Sequence, residues 1–386
     1  MAKNNLKTIN YNTVDKSNDK DVGFTASKSN DIKIQQKKFE TYLANSYNYK
    51  QLWFEKCNKY NINEPSFILP KVPRIIVIGD VHGDWDRTLK VLKIAKVIDQ
   101  SNNWIGGNTV VVQLGDQIDR CRFSNIPCYI QGATEYDEGN DLKLLKYFTQ
   151  LHKQAQKHGG AVYSLLGNHE VMNVQQNLRY VSYEGLKEFD NFMSGKRIIK
   201  DGKTARLWRF KPGNDISEFL ACTRQVAIII GSNLFVHAGI LPQIAEKYNV
   251  TSINMIMTLY LWNKLKDITK YSDIIHPHND SPLWTRVFGN LGNLNLLHNN
   301  NPIIDKIICK KIITPLETIY NIGKIYVGHT PTLSHKVNNI CHKKIWLTDY
   351  GLSKGFDKFF PSTDKKKLQV LEIIDDGREF NILEGY

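Results

Sequence analysis

The sequence has no apolar run long enough to form a membrane-spanning helix. Its apolar stretches are of strand length, as in VAIIIG at 226–231, whereas a spanning helix needs about 20 apolar residues. The first residues also lack the apolar centre of a secretory signal peptide. These absences predict no transmembrane segment and no membrane partner, and they lead us to expect a cytoplasmic protein.

Cysteine is scarce, with six among 386 residues and no CxxC pair. This spacing excludes the common zinc and dithiol motifs, and a chain of this length needs no disulfide framework to be stable. We therefore expect six reduced thiols. They are Cys57, Cys121, Cys128, Cys222, Cys309 and Cys341.

Acidic residues are fewer than basic ones: 38 Asp and Glu stand against 51 Lys and Arg, which gives a net charge of +13. A basic balance favours anionic partners such as nucleic acid or phosphorylated substrates. The lysines are dispersed, however, with no arginine-rich stripe and no aromatic–basic alternation. Nucleic acid is therefore possible but not favoured, and the oligomeric state stays open.

The chain divides into three segments by composition. Residues 1–36 are polar with almost no large apolar residues, which predicts a disordered tail. Residues 37–70 carry apolar residues at helical spacing, from Phe39 to Trp53, and predict a helical lead-in. Residues 71–386 alternate apolar strands with helical stretches and predict one catalytic domain.

The predicted fold class is α/β, a layered α+β domain in which a β-sandwich is flanked by helices. Strands are expected at 74–80, 108–116, 161–166, 226–230, 233–237, 324–328, 344–348 and 368–374, with helices at 85–98 and 142–158. Segments near 121–140, 195–217 and 251–300 interrupt the alternation and are predicted to be loops or helical insertions.

Polar residues that can bind metal ions follow five of these strands. Each sequence fragment alone is weak evidence for a metal site, because a glycine turn or a lone histidine is common at a strand end. Together they supply carboxylate, amide and imidazole ligands for two metal ions, and Mn, Fe or Zn suit this mixture of oxygen and nitrogen better than Ca does. The residues in chain order are Asp80, His82, Asp116, Asn168, His237 and His329.

The order of these motifs resembles that of the calcineurin-like metallophosphoesterases. The forms GDQIDR at 115–120 and GNHE at 167–170 resemble the phosphoprotein phosphatase branch. The longer stretches LLGNHEVMNVQQNLRYVSYEGLKEF at 165–189 and SPLWTR at 281–286 are similar to the Shewanella-like, bacterial-type protein phosphatases. Cys121 departs from the glycine usual after Asp-Arg in this family.

The resemblance implies a division of the ligands between two metal ions. Asp80, His82 and Asp116 would hold one ion, and Asp116 would bridge to a second ion held by Asn168, His237 and His329. A shared carboxylate suits two cations about 3.5–4 Å apart, because it screens their repulsion. Attack on phosphorus by a metal-bridging hydroxide would then need no phosphoenzyme.

Two further residues of the same motifs suit proton transfer. A serine alkoxide is a poor leaving group, so a general acid must protonate it. His169 follows Asn168 directly and is the candidate acid, while Asp119 could orient it. Glu170 is expected to support the site structurally.

Phosphate binding is expected from arginine, whose planar fork matches a tetrahedral oxyanion. Arg120 follows Asp119, and Arg286 closes the LWTR stretch that resembles the family. Both are candidate substrate-binding residues.

The sequence thus predicts a metal-dependent protein phosphatase acting on phosphoserine, phosphothreonine or phosphotyrosine in a phosphoprotein or phosphopeptide. One alternative keeps the metal centre but hydrolyses a small phosphate compound such as a dinucleoside tetraphosphate. A second is a catalytically silent module that binds phosphate or nucleic acid.

Overall fold

The computed structural model describes residues 26–122, 125–297, 302–359 and 366–386, without the side chains of residues 26 and 302–308. The strands are β1 (Ile68–Leu69), β2 (Arg74–Ile78), β3 (Val110–Gln113), β4 (Ala161–Leu165), β5 (Phe192–Ser194), β6 (Arg197–Ile199), β7 (Arg224–Gln225), β8 (Ala227–Ile230), β9 (Asn233–Val236), β10 (Lys324–Val327), β11 (Asn338–Ile340), β12 (Ile345–Leu347), β13 (Leu368–Ile374) and β14 (Glu379–Gly385).

Helices surround these strands and occupy much of two predicted insertions, those near 195–217 and 251–300. They are α1 (Ala26–Ser46), α2 (Tyr49–Cys57), α3 (Trp85–Ile94), α4 (Asp141–Gln156), α5 (Asn168–Val174), α6 (Tyr183–Lys187), α7 (Gly202–Phe210), α8 (Asp215–Thr223), α9 (Pro242–Lys247), α10 (Val250–Leu261), α11 (Ser272–Ile275), α12 (Val287–Leu297) and α13 (Pro302–Tyr320). Within the described ranges, no helix combines the length and apolarity needed to cross a membrane.

Two six-stranded sheets form the centre of the fold. One has the order β1-β8-β9-β10-β12-β11 and the other β14-β13-β2-β3-β4-β7. In β8, Ile228 and Ile230 pack in the same apolar cluster as β2 and β3, whereas Ala227 and Ile229 belong to the cluster on the opposite side. This alternation is what a strand with two buried faces requires, and it confirms the predicted layered α/β fold with a sandwich at its centre.

The sheet edges bring the polar residues together. Strands β2, β3 and β4 pair in parallel, and so do β9 and β10. The carboxyl ends of parallel strands lie at the same edge, so the residues that follow them are neighbours there. The two edges also meet, because the Asp80 carboxylate after β2 accepts a hydrogen bond from the His329 backbone N–H after β10, 3.0 Å away.

The predicted tail boundary needs a correction. Helix α1 begins at Ala26, so residues 26–36 are helical rather than disordered. Ser29 and Gln36 are buried, and their side chains donate to the backbone oxygens of Thr318 and Ala245. A polar face that finds carbonyl partners on other helices needs few large apolar residues. The rest of the predicted tail, residues 1–25, lies outside the described residues.

The prediction of six reduced thiols is wrong for this structure. The cysteines form three disulfides, Cys57–Cys222, Cys121–Cys128 and Cys309–Cys341. Two of these pairs are 165 and 32 residues apart in the chain, yet their Cα atoms lie 5.3 and 5.5 Å apart. Such proximity comes from the tertiary packing and leaves no spacing signal in the sequence. Disulfides persist mainly in oxidising compartments, so these pairs do not favour the cytoplasmic expectation.

Candidate active site

The candidate site is built on tight turns directly after the strands. Four of its residues adopt a left-handed backbone conformation, with φ of 42° at His82, 52° at Asp116, 70° at Asp119 and 67° at His329. This conformation is uncommon outside glycine and costs energy, and such residues cluster at functional sites. Here the turns aim side chains of three strands into one space.

Gly167 allows two of these turns to touch. A Cβ atom at Gly167 would lie 2.1 Å from the Asp116 Oδ1 atom and 2.3 Å from its backbone nitrogen. Any larger residue would therefore push the Asp116 turn away from the start of α5. The glycine is required by close approach rather than by its own backbone angle.

Asp116 lies at the centre of two clusters of potential metal ligands. One contains His82, Asp116 and His169, the other Asp116, His237 and His329, and the ligand atoms of each lie within 4.8 Å of one another. The Asp116 Oδ2 atom is 3.4 Å from His237 Nε2 and 3.8 Å from His82 Nε2. Both clusters are buried, and the carboxylate they share has the position expected of a bridging ligand.

Asn168 and Asp80 complete the two sides of the centre. The Asn168 Oδ1 atom lies 3.0 Å from His237 Nε2 and 2.8 Å from His329 Nδ1. The Asp80 Oδ2 atom is 3.8 Å from His82 Nε2. All six residues predicted as ligands therefore lie in one buried group, while their division between two ions stays a prediction.

Backbone carbonyls orient the imidazole rings. His237 Nδ1 lies 2.7 Å from the Leu114 oxygen, and His329 Nε2 lies 3.2 Å from the Trp284 oxygen. A carbonyl accepts only from a protonated nitrogen, so in a neutral ring the opposite nitrogen, which faces Asn168, keeps its lone pair. Outer partners of this kind fix the ring nitrogen available to a metal ion.

The charges of the site suit a cation. Burial raises the pKa of Asp80, and the neighbouring carboxylates of Asp349 and Asp116 raise it further. Burial lowers the pKa values of His82 and His329 well below the usual range, which keeps both rings neutral. Clustered carboxylates with neutral imidazoles are a donor set that divalent metal ions fit.

His169 points at this centre from the start of α5. Its Nε2 atom is 3.8 Å from Asp116 Oδ2, and its Nδ1 atom is 2.8 Å from Asp119 Oδ2. One ring nitrogen therefore faces the ligand cluster, while the other is held by the Asp119 carboxylate. This is the arrangement predicted for a general acid and its orienting partner.

Two residues that the motifs did not indicate hold the Asp119 carboxylate in place. Asn173 donates to both Asp119 oxygens at 3.0 and 3.1 Å, and Arg206 Nη2 donates at 3.0 Å. Arg206 also pairs with Asp141 at 2.8 Å. Asn173 lies four residues after His169, on the same face of α5, which is a usable sequence signal. Arg206 comes from α7 and leaves no signal.

Glu170 organises the turns and belongs to neither ligand cluster. Its carboxylate accepts hydrogen bonds from the backbone N–H groups of Gly167, Asp116 and Gln117 at 2.7, 3.0 and 2.7 Å. Burial, reinforced by the Asp116 charge, raises the pKa of Glu170 to about 7. These contacts agree with the structural part expected of Glu170.

The two arginines predicted to bind substrate have different surroundings. Arg120 is buried in an ion-paired group, with Nη1 3.1 Å from Asp84 Oδ2 and Nη2 3.3 Å from Glu138 Oε1. Arg286 is exposed at the rim, where Nη1 lies 3.3 Å from the His329 backbone oxygen and from Thr330 Oγ1. Arg286 thus borders the ligand cluster, whereas Arg120 is engaged with carboxylates.

Arg122 is the arginine that reaches the histidines. Its Nη2 atom lies 2.7 Å from His82 Nε2 and 3.5 Å from His169 Nε2. The guanidinium lies between the rings of Tyr180 and Phe356, 5.4 and 5.2 Å from their centroids. In the sequence, only its position two residues after Arg120 marks it as a candidate.

Comparisons with known proteins agree with this geometry. Residues 73–333 match the sequence profile described as calcineurin-like phosphoesterase. An uncharacterised protein of Acanthamoeba polyphaga mimivirus is 38% identical over 60% of this chain and 95% of its own. Shewanella-like protein phosphatase 2 of Arabidopsis thaliana is 28% identical over 79% of this chain and 76% of its own.

A solved structure shares the fold. The cold-active protein-tyrosine phosphatase of a psychrophilic Shewanella species superposes with a TM-score of 0.57 and 21% identity, over 84% of each chain. At that identity the likeness concerns the fold alone. Since the calcineurin-like profile covers more than half of the chain, and the ligand clusters lie inside the matched region, the protein belongs to the calcineurin-like phosphoesterase family, whose members are metal-dependent phosphoesterases.

Proposed function

We propose that the protein is a dinuclear metal-dependent phosphatase that hydrolyses phosphoserine, phosphothreonine or phosphotyrosine in proteins. The observation that carries this proposal is the pair of buried ligand clusters that share Asp116, with the His169–Asp119 pair directed at them. The Arabidopsis relative is named a protein phosphatase, which supports a phosphoprotein substrate.

In the proposed site, six residues hold two metal ions. Asp80 and His82 would bind one ion, Asn168, His237 and His329 the other, and Asp116 both. When bound, such ions supply the nucleophile at neutral pH and stabilise charge on the phosphoryl group. The Leu114 and Trp284 carbonyls keep the His237 and His329 rings in the required orientation.

The remaining residues act on the substrate. His169 holds a proton at Nε2 and delivers it to the leaving oxygen, while Asp119 stabilises the protonated ring through Nδ1. Arg122 and Arg286 bind the phosphate oxygens, and Arg122 is the better placed because its Nη2 atom is within 3.5 Å of His169 Nε2. The Tyr180 and Phe356 rings fix its direction.

A substrate panel tests the proposed reaction. Turnover should be measured on phosphoserine, phosphothreonine and phosphotyrosine peptides, on a dinucleoside tetraphosphate and on single-stranded DNA, with metal content determined on the same sample. We expect hydrolysis of at least one phosphopeptide by a preparation that contains about two metal ions per chain. Hydrolysis of the dinucleoside tetraphosphate or the nucleic acid alone would contradict the proposal.

Arg122→Gln should weaken phosphate binding more than Arg120→Gln does. A hydrogen bond to a charged group is worth about 1.5–3 kcal/mol, so kcat/KM should fall by about 10–150-fold. The inhibition constant of inorganic phosphate should rise in parallel, with unchanged metal content. Arg122→Lys keeps the charge but loses the planar fork and should recover only part of the loss. A larger effect at Arg120 would assign phosphate binding to that residue instead.

A further inference from the structure

A second polar cavity lies away from the ligand clusters, at the β4–β7 edge. It has a volume of about 160 Å³ and lies between α4, the edge strands and the segment at 62–66. Its polar and charged lining residues include Glu64, Thr149, His152, Tyr163, Arg224 and Gln225, and of these Glu64 is exposed to solvent. Neither the metal ligands nor His169 line it.

Arg224 brings a buried positive charge to this cavity without a carboxylate in contact. It is 3% exposed, and its guanidinium donates to neutral oxygens only, among them Gln117 Oε1 at 3.0 Å, Thr149 Oγ1 at 2.8 Å and the Leu145 carbonyl at 2.7 Å. No described carboxylate lies within ion-pair distance of it. The Glu170 carboxylate acts on Arg224 only from beyond contact distance. A buried charge whose direct contacts are all dipoles is costly, and an anion beside it lowers that cost.

His152 adds a hydrogen-bond donor. Its Nδ1 atom accepts from the Val162 backbone N–H at 3.2 Å, so the ring proton is on Nε2. Burial lowers the pKa of His152 to about 4, which keeps the ring neutral near pH 7. No described residue accepts from Nε2, so this N–H is available to a ligand.

Gln225 adds an acceptor that lacks a donor. It is 7% exposed, and its Oε1 atom is buried without a hydrogen-bond partner in the described structure. Leaving such a group unsatisfied costs about 1–3 kcal/mol. A ligand that carries a proton would remove this cost, whereas a fully deprotonated anion would not.

We propose that this cavity is a binding site for a small tetrahedral oxoanion that carries a proton, of the hydrogen phosphate class. Arg224 supplies a positive electrostatic potential. The Nε2–H group of His152 donates to one anion oxygen, and the anion's hydroxyl donates to Gln225 Oε1. A cavity of about 160 Å³ is smaller than the roughly 300–1,000 Å³ typical of sites for drug-sized ligands. It therefore selects the ion itself over a nucleotide.

The test must separate this site from phosphate bound at the metal centre. Histidines labelled with ¹³C at Cε1 report on both places in one titration of the full chain, with Zn²⁺ present so that the sample stays diamagnetic. The His152 signal is assigned by its loss in His152→Phe. We expect inorganic phosphate to shift it saturably, with a midpoint different from that of the His237 and His329 signals.

Sulfate and two variants complete the experiment. Sulfate has no proton to donate near neutral pH, so its midpoint at His152 should be about tenfold or more higher than that of phosphate. Gln225→Leu should remove this preference, and Gln225→Glu should repel both anions. His158→Phe, an exposed histidine after α4, is the matched control and should leave the His152 response unchanged.

Two results would overturn the proposal. One is a His152 signal that does not respond to phosphate at concentrations that saturate the metal centre and beyond. The other is a response that follows the His237 and His329 signals with the same midpoint, since it would then arise from binding at the metal centre.

Discussion

Replacing Asp119 with asparagine should lower kcat for a phosphoserine peptide by about 10²–10⁴-fold, the usual contribution of general acid–base catalysis. The metal content should stay near that of the parent protein, because Asp119 contacts His169, Asn173 and Arg206 and lies in neither ligand cluster. Asparagine also tolerates the left-handed backbone that Asp119 adopts, with φ of 70°.

The hydrogen-bond partners explain why an isosteric change has so large an effect. Arg206 and Asn173 both donate to the Asp119 carboxylate, so an asparagine must turn its own oxygen towards them. Its amide N–H group then faces His169 Nδ1, where the parent carboxylate lies 2.8 Å away. That nitrogen can only accept from the amide, and the protonated ring loses its stabilising anion.

The choice of substrate makes the prediction specific. An aryl phosphate departs as a stabilised phenolate and depends little on a general acid, so its kcat should fall far less than that of the phosphoserine peptide. Arg206 keeps its Asp141 partner at 2.8 Å, and the thermal unfolding midpoint of Asp119→Asn checks that the fold persists. Equal losses on both substrates would show that Asp119 does not support a general acid, and loss of metal would revise the ligand assignment.

Removing the metal ions should abolish turnover, and Asp116 is the residue whose loss should imitate their removal. Chelation followed by dialysis should inactivate the protein, and Mn²⁺ should restore activity, if the ions supply the nucleophile. Asp116→Asn should lower metal affinity by more than the 10–100-fold that is typical of residues that only support ligands. The reason is that it replaces the shared carboxylate of both clusters with a neutral amide.

Asp86→Asn is the matched control for this variant. The Asp86 side chain is 64% exposed and pairs with Lys354 near the site, so its charge is lost without the loss of a ligand. We expect unchanged metal content in Asp86→Asn and reduced content in Asp116→Asn, both measured by elemental analysis. Activity that persists in a preparation shown to be metal-free would refute the dinuclear mechanism.

Most of the core strands could be predicted because their signal is local. The apolar runs at 74–80 and 368–374 contain β2 and β13, while β14 was missed because Glu379–Gly385 is polar and partly exposed at a sheet edge. An edge strand is covered by fewer neighbours than a central strand, so its sequence carries a weaker apolar pattern. The insertion near 195–217 was recognised, but its two helices, α7 and α8, were not resolved from the pattern.

The sequence by itself determined which residues gather at the candidate metal centre. Each ligand directly follows an apolar strand, and parallel strands end at one edge, so chain order was enough to bring Asp80, Asp116 and Asn168 together. The same local logic paired His169 with Asp119, because both belong to turns at that edge.

Only the tertiary structure decided what surrounds that centre. Arg206 reaches Asp119 from a helix 87 residues away, Arg122 rather than Arg120 contacts the histidines, and Cys57 meets Cys222 across 165 residues. These contacts depend on how helices pack on the sheets and on which way a side chain turns at a loop. Neither property has a period or a spacing in the sequence, because both are set by the shape of the neighbouring elements.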